Sequence, residues 1–251
     1  MQRYFVAPEQ FTDDEVRITG DDAHHLTRVM RARTGEQVIC SDGQEREALV
    51  EITEILAGTV TARIIEKLPM DAEPAVEVWV AQSLPKGDKM ETVIQKCTEI
   101  GASRFLPFLS ERTVVQYDAK KEAKRLDRWN KIAKEASEQA HRNRVPEVTA
   151  PYSWKQLLQM AGEFDLALIC YEKEQGLRFR ERLRMAAAEH RLNKVLLLIG
   201  PEGGFSENEI AQAESSGVHS ISLGKRILRT ETAAMAALTC ILYETGEMGG
   251  T

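Results

Sequence analysis

Val195-Leu196-Leu197-Leu198-Ile199 is apolar at every position, and Gly200-Pro201-Glu202-Gly203-Gly204-Phe205-Ser206 follows it without a break. A strand with one face in water alternates apolar and polar residues. One that is apolar throughout is covered on both faces, as in the middle of a parallel sheet flanked by helices. The loop runs into a helix start, because Ser206 with Glu209 three residues on is a capping box. Parallel sheets bind ligands beyond the C-terminal ends of their strands, and glycines there let backbone approach a ligand closely. Val195–Leu238 is therefore read as a small-molecule cofactor site.

The surrounding pattern agrees with such a sheet. From residue 73 strands and helices alternate. Strands are expected at Val76–Gln82, Arg104–Leu109, Phe164–Tyr171, Lys194–Gly200 and Val218–Leu223. Helices are expected at Lys86–Ile100, Leu126–Ala140, Leu177–Glu189, Glu207–Ser216 and Thr232–Glu244. Before residue 73 the pattern is different. Gln37–Cys40, Glu47–Ile55 and Thr59–Ile65 are short β-branched or alternating runs, with Gly58 as a hairpin turn. A single short helix is expected over Asp21–Arg31, with Leu26, Val29 and Met30 sharing one face. The prolines and acids of Leu68–Pro74 read as a linker. The predicted organisation is a small β-barrel over 1–72 and an α/β domain over 73–251.

Composition narrows the function. Hydrophobic residues make up 43% and charged residues 29%, as in ordinary soluble domains. No apolar run approaches the roughly 20 residues that cross a bilayer. Acids arrive by Asp13, so the N-terminus has no signal-peptide core, and a cytoplasmic location is expected. Cys40, Cys97, Cys170 and Cys240 form no CxxC pair and no zinc spacing, so reduced core thiols and no metal are expected. The net charge of −6 argues against simple coating of nucleic acid, yet Ala119–Pro146 alone carries +5, leaving −11 elsewhere. The charge is polarised.

The glycine loop is neither a GxGxxG after a first strand nor a GxxxxGK[ST], and it comes late in the chain, which points to another kind of cofactor fold. A second block follows the last strand: Ser222-Leu223-Gly224-Lys225-Arg226-Ile227-Leu228-Arg229-Thr230-Glu231-Thr232-Ala233-Ala234. Thr230 is expected to cap the final helix, whose N-terminal dipole suits a ligand carboxylate or ring.

These residues carry a resemblance. The GPEGGF loop at 200–205, the Leu223-Gly224 strand end and Ile227–Ala233 resemble the SPOUT methyltransferases. They are most similar to the RsmE family, ribosomal RNA small subunit methyltransferase E. Ser83–Glu91, Lys96–Gly101, Glu135–Ala140, Arg3-Tyr4-Phe5 and His24–Arg31 match further blocks of that family. The resemblance covers essentially the whole chain.

It implies a C-terminal α/β domain with a deep trefoil knot, an N-terminal PUA-like RNA-binding barrel and a homodimer. S-adenosylmethionine would be held by Leu168, Tyr171, Glu172, Ile199, Gly200, Pro201, Glu202, Gly203, Gly204, Leu223, Gly224, Ile227, Leu228, Thr230, Thr232 and Ala233. The implied reaction is methylation of N3 of one uridine in the decoding region of 16S ribosomal RNA, acting on that RNA or on the small ribosomal subunit. The anion left when N3 loses its proton spreads onto O2 and O4, so a cation beside it helps. Arg229 is the candidate cation, with Glu231 or Glu202 as proton acceptor. Arg3, His25, Arg28, Arg31, Lys86, Arg142 and Arg144 are candidate RNA contacts, which would position the strand and not specify the base. Two other readings stay open: a knotted enzyme acting on a ribose 2′-hydroxyl or another base, and a non-catalytic RNA-binding assembly factor.

Overall fold

A computed structural model describes residues 1–115, 119–174, 179–189 and 192–250. It divides into two compact units, 1–73 with 137–145, and 74–136 with 146–251.

The smaller unit is a five-stranded sheet in the order β1-β3-β4-β5-β2. Its strands are β1 (Arg3–Phe5), β2 (Glu15–Thr19), β3 (Gln37–Ser41), β4 (Glu47–Leu56) and β5 (Thr59–Leu68). Only β1 and β3 pair in parallel; the other neighbours are antiparallel. Alternating residues Val16, Ile18, Val38, Cys40, Val50, Ile52, Val60 and Ala62 form the core. Gly58, at φ +81°, makes the tight turn between β4 and β5.

Two expectations fail in this unit. The helix over Asp21–Arg31 is a short helix α1 (Gly20–His24) followed by a π-helical turn over His25–Val29. The wider turn abandons the i, i+3, i+4 face. Leu26 stays buried, but Val29 and Met30 are exposed.

The second failure concerns Arg3 and Arg142, expected on the RNA surface; both are buried. Arg3 donates two hydrogen bonds to Glu47, at 2.6 and 2.8 Å, and one to the Arg142 carbonyl at 2.6 Å. Arg142 pairs with Glu73, which also accepts from the backbone N–H of Asn143 and Arg144. Asn143 donates to Glu47 at 2.6 Å. Such pairs offset their desolvation only by mutual satisfaction, so removing one partner leaves a buried charge unpaired. The role these arginines show is to hold 137–145 in the smaller unit. His25, Arg28, Arg31 and Arg144 are exposed, and the His25 ring meets the Tyr4 hydroxyl at 3.1 Å.

The larger unit contains a sheet in the order β12-β10-β11-β6-β7-β8, with β9 also pairing with β7. Its strands are β6 (Glu77–Ser83), β7 (Arg104–Leu109), β8 (Glu147–Val148), β9 (Tyr152–Ser153), β10 (Leu166–Cys170), β11 (Lys194–Ile199) and β12 (His219–Ile221). Every pairing is parallel. The helices are α2 (Lys89–Ile100), α3 (Ala119–Gln139), α4 (Trp154–Met160), α5 (Phe179–Glu189), α6 (Glu207–Ser215) and α7 (Thr230–Glu244); residues 137–139 of α3 are counted with the smaller unit. Leu177, the expected start of α5, lies outside the described residues.

β11 sits between β10 and β6, and Val195–Ile199 are all buried, as an apolar run demands. After β12 the chain returns across the sheet, and α7 packs on α2, α5, β11 and β6. Helix α4, capped by Ser153 with Gln156, was not expected from the sequence. Cys40 and Cys97 are core thiols, but Cys240 is exposed on α7, contrary to the apolar pattern around it.

Candidate active site

The C-terminal ends of β10, β11 and β12 open into one cavity of about 1320 Å³. Its wall has three pieces: Cys170, Tyr171, Glu172 and Glu174 at the end of β10, Ile199–Gly204 at the end of β11, and Ser222–Thr230 after β12, with Lys89, Phe179 and Ala233 beside them.

The middle piece is a fixed loop. Gly204 donates to the Pro201 carbonyl at 2.9 Å and has φ +65°, a conformation that favours glycine. A Cβ there would stand 3.2–3.3 Å from both carboxylate oxygens of Glu172. Phe205 anchors the loop's end, buried against the rings of Phe108 and Trp154. The expected box then forms, with Ser206 accepting from the Glu209 N–H and donating its own N–H to the Glu209 carboxylate.

The third piece departs from expectation. Arg229, not Thr230, occupies the cap position of α7, and no side chain caps the helix. The Thr230 hydroxyl instead donates to the Gly200 carbonyl at 2.7 Å and accepts from the Gln82 amide at 2.9 Å. Gln82 also donates to the Ser83 carbonyl. This joint ties the ends of β6 and β11 to the start of α7. It leaves first-turn N–H groups of α7 uncapped beside the cavity, where the helix dipole favours negative charge.

Electrostatics sort the charged groups. Glu202 accepts from Lys89 at 2.7 Å and from the Lys86 N–H at 3.0 Å. Burial opposes its ionisation, but these bonds hold its carboxyl below the ordinary carboxylate value. Glu202 is thus a clip between the loop and the start of α2, and a poor proton acceptor. Lys86 itself is exposed. Lys225, Arg226 and Arg229 form no ion pair among the described residues. Burial pushes the Cys170 thiol up to about 12, so it is neither thiolate nor nucleophile.

Most of the expected site residues come together here. Tyr171, Glu172, Ile199, Gly200, Pro201, Glu202, Gly203, Gly204, Leu223, Gly224, Ile227, Leu228, Arg229, Thr230 and Ala233 all line the cavity. Leu168 does not; it is fully buried within β10 and supports the wall through packing. Thr232 is exposed on α7 and outside the wall, and Glu231 is also outside it. Among the described residues the Glu231 Oε2 has no hydrogen-bond partner. Lys89 and Gln82 carry signs that sequence reasoning passed over. Gln82 is a polar residue closing an apolar strand, and Lys89 opens the next helix. The polar run Ser110-Glu111-Arg112-Thr113 after β7 is a third such sign. Among the described residues no three His, Cys, Asp or Glu side chains are placed to hold a metal ion, and no helix is long and apolar enough to cross a membrane.

Comparison with known proteins agrees with this geometry. The family described as RNA methyltransferase domain matches residues 72–242, and the RNA methyltransferase PUA domain matches 18–65. The ribosomal RNA small subunit methyltransferase E of Bacillus subtilis (strain 168) is 42% identical, covering 100% of this chain and 99% of that protein. A protein of the same name from Synechocystis is 36% identical, over 95% of this chain and 76% of its own length. The crystal structure of the Neisseria gonorrhoeae enzyme of that name, bound to S-adenosyl methionine, superposes with a TM-score of 0.84 at 30% identity, covering 97% of each chain. The smaller unit is thus a PUA-like domain and the larger a methyltransferase domain built on a parallel sheet, and the chain belongs to the ribosomal RNA small subunit methyltransferase E family.

Proposed function

We propose that this protein transfers the methyl group of S-adenosylmethionine to N3 of one uridine in the decoding region of 16S ribosomal RNA. The observation that carries the reading is the cavity itself, where the glycine loop and the uncapped start of α7 meet beside Arg229, a cation with no ion-pair partner among the described residues. Three observations support the cofactor's fit. Gly203 and Gly204 present backbone without side chains, and Gly224, at φ +107°, has open space where a Cβ would be. The uncapped α7 suits a carboxylate. The volume also exceeds the roughly 300–1,000 Å³ of common ligand pockets, which leaves room for a second reactant.

Ile199–Gly204, Leu223, Gly224 and Leu228, together with Tyr171 and Glu172, would hold the cofactor. When bound, S-adenosylmethionine supplies a methyl group on a sulfonium that departs in line with attack. The protein's work is positioning and charge. Arg229 stands where negative charge grows on the uracil edge as N3 loses its proton. Glu202, already held as an anion by Lys89, is a poor acceptor for that proton; Glu231, whose Oε2 has no hydrogen-bond partner among the described residues, is the remaining candidate. Exposed His25, Arg28, Arg31 and Arg144 of the PUA-like domain, and Lys86, contact phosphates. The motif resemblance at 200–205 and 227–233 supports assignment to the SPOUT class with a trefoil knot. The working form is a homodimer in the cytoplasm.

Primer extension on small-subunit rRNA, with and without this gene, tests the reading. Methylation at N3 blocks the Watson–Crick edge and stops reverse transcriptase. A stop that persists in the deletion strain overturns the N3 assignment. Nucleoside mass spectrometry then separates a methylated base from a methylated ribose.

A further inference from the structure

The loop after β7 lies outside the cavity wall and is held at both ends by hydrogen bonds. The hydroxyls of Ser83, Ser110 and Thr113 form a triangle with sides of 2.8, 3.0 and 3.0 Å, and the Ser110 N–H donates to Thr113 at 2.9 Å. The Glu111 N–H donates to Glu209 at 2.8 Å, and Ser206 donates to the Glu111 carboxylate at 2.6 Å. Between these anchors lies Arg112, which is exposed. It donates to the Gly203 carbonyl at 2.7 Å, and Gly203 is part of the cavity wall.

The partner of this guanidinium is a neutral carbonyl. The two carboxylates beside the loop, Glu111 and Glu209, are taken up by Ser206 and by backbone N–H groups. No ion pair neutralises Arg112 among the described residues. A guanidinium has five N–H donors in a rigid fork, so one bond to Gly203 leaves most of the fork for an oxyanion in solvent. Fixing an arginine in advance also lowers the entropy lost when a phosphate arrives.

We propose that Arg112 binds a backbone phosphate of the substrate RNA at the cavity mouth and so registers the target nucleotide against the glycine loop. This rests on the RNA methyltransferase reading above. The alternative role for the same bond is to brace Gly203 for the cofactor, and the two roles differ in salt dependence. One lost phosphate contact makes the slope of log affinity against log salt shallower by about 0.7 to 0.9.

The test compares wild type with Arg112→Ala, Arg112→Gln and Arg112→Lys. The substrate is small ribosomal subunits from cells lacking the enzyme, and kcat/KM is followed from about 50 to 200 mM KCl at fixed Mg²⁺. Cofactor affinity is measured by calorimetry with S-adenosylmethionine alone. The expected result for Ala and Gln is roughly a tenfold fall in kcat/KM and a shallower slope, with cofactor affinity unchanged. Lys keeps the slope. An unaltered slope in Arg112→Ala overturns the phosphate assignment, whatever happens to cofactor binding. A wild-type enzyme that transfers no methyl group to the subunits overturns the function it rests on, and this inference with it.

Discussion

The two ends of the sheet in the larger unit are finished in opposite ways. Where β6, β7 and β11 begin, Trp79 lies between two cations, with Arg104 at 4.2 Å and Lys194 at 4.1 Å from its ring centre. Phe164 meets Trp79 edge-on at 5.2 Å, and Lys194 also covers Phe164. Arg104 pairs further with Glu147. Both cations there are matched by a ring or a carboxylate. At the opposite end, beyond β10, β11 and β12, glycines replace side chains along the cavity wall, and Lys225, Arg226 and Arg229 have no ion-pair partner among the described residues. One end holds itself together; the other leaves charge and backbone for something that comes and goes. A parallel sheet makes this division easily, because all its strand ends of one kind fall on one side.

Substitutions at the two ends should therefore fail differently. The largest effect is expected for Arg229→Ala: methyl transfer falls about a hundredfold while cofactor affinity and melting temperature stay close to wild type. Single-turnover rates beside calorimetry check it, and an equal loss of cofactor affinity would assign the arginine to the cofactor. Trp79→Ala should reverse the pattern. Denaturant titration is expected to lose about 2 kcal/mol of stability, while cofactor affinity of the folded protein is kept. Gly204→Ala comes next. It forces a side chain into a left-handed backbone and against Glu172, and should weaken cofactor binding about tenfold, read by calorimetry.

The smallest effect is one of pH. The Glu202 carboxyl lies below its ordinary value, so its ionised form is favoured by folding. Its contribution is complete above the ordinary carboxylate range and is lost as pH falls through the depressed value. Amide exchange protection at Gly203 and Gly204 should drop in acid by a small factor more than at Val78 and Val80. Glu202→Gln should show the lower protection already at neutral pH. Equal acid loss at both places would dissolve the contrast between the two ends.

Parts of this plan were readable along the chain. Val195–Ile199 had to be an inner strand, since no half-exposed strand tolerates five apolar residues in a row, and Ser206 with Glu209 marked the next helix. Those signals are local, and they brought the Ile199–Gly204 part of the cavity wall into view; Tyr171 and Glu172 were implied only by the family resemblance. Other parts depended on meetings between distant residues. Arg3 and Arg142 look like RNA contacts until Glu47 and Glu73 are found against them. Thr230 has the chemistry of a cap, but Gly200 and Gln82 offer its hydroxyl better partners. Val29 and Met30 fit a helical stripe that a π-turn breaks.

The sequence alone determined most of the element types, the glycine loop at a strand end and the residues available for chemistry, because periodicity, capping and backbone freedom act within a few residues. Only the tertiary structure decided which charges are consumed and which are left. It buried Arg3 and Arg142, clipped Glu202 to Lys89, and left Arg229 and Arg112 without a carboxylate among the described residues. A charge's role depends on what stands within a few ångströms of it in space, and for these residues that neighbour is up to 139 positions away along the chain.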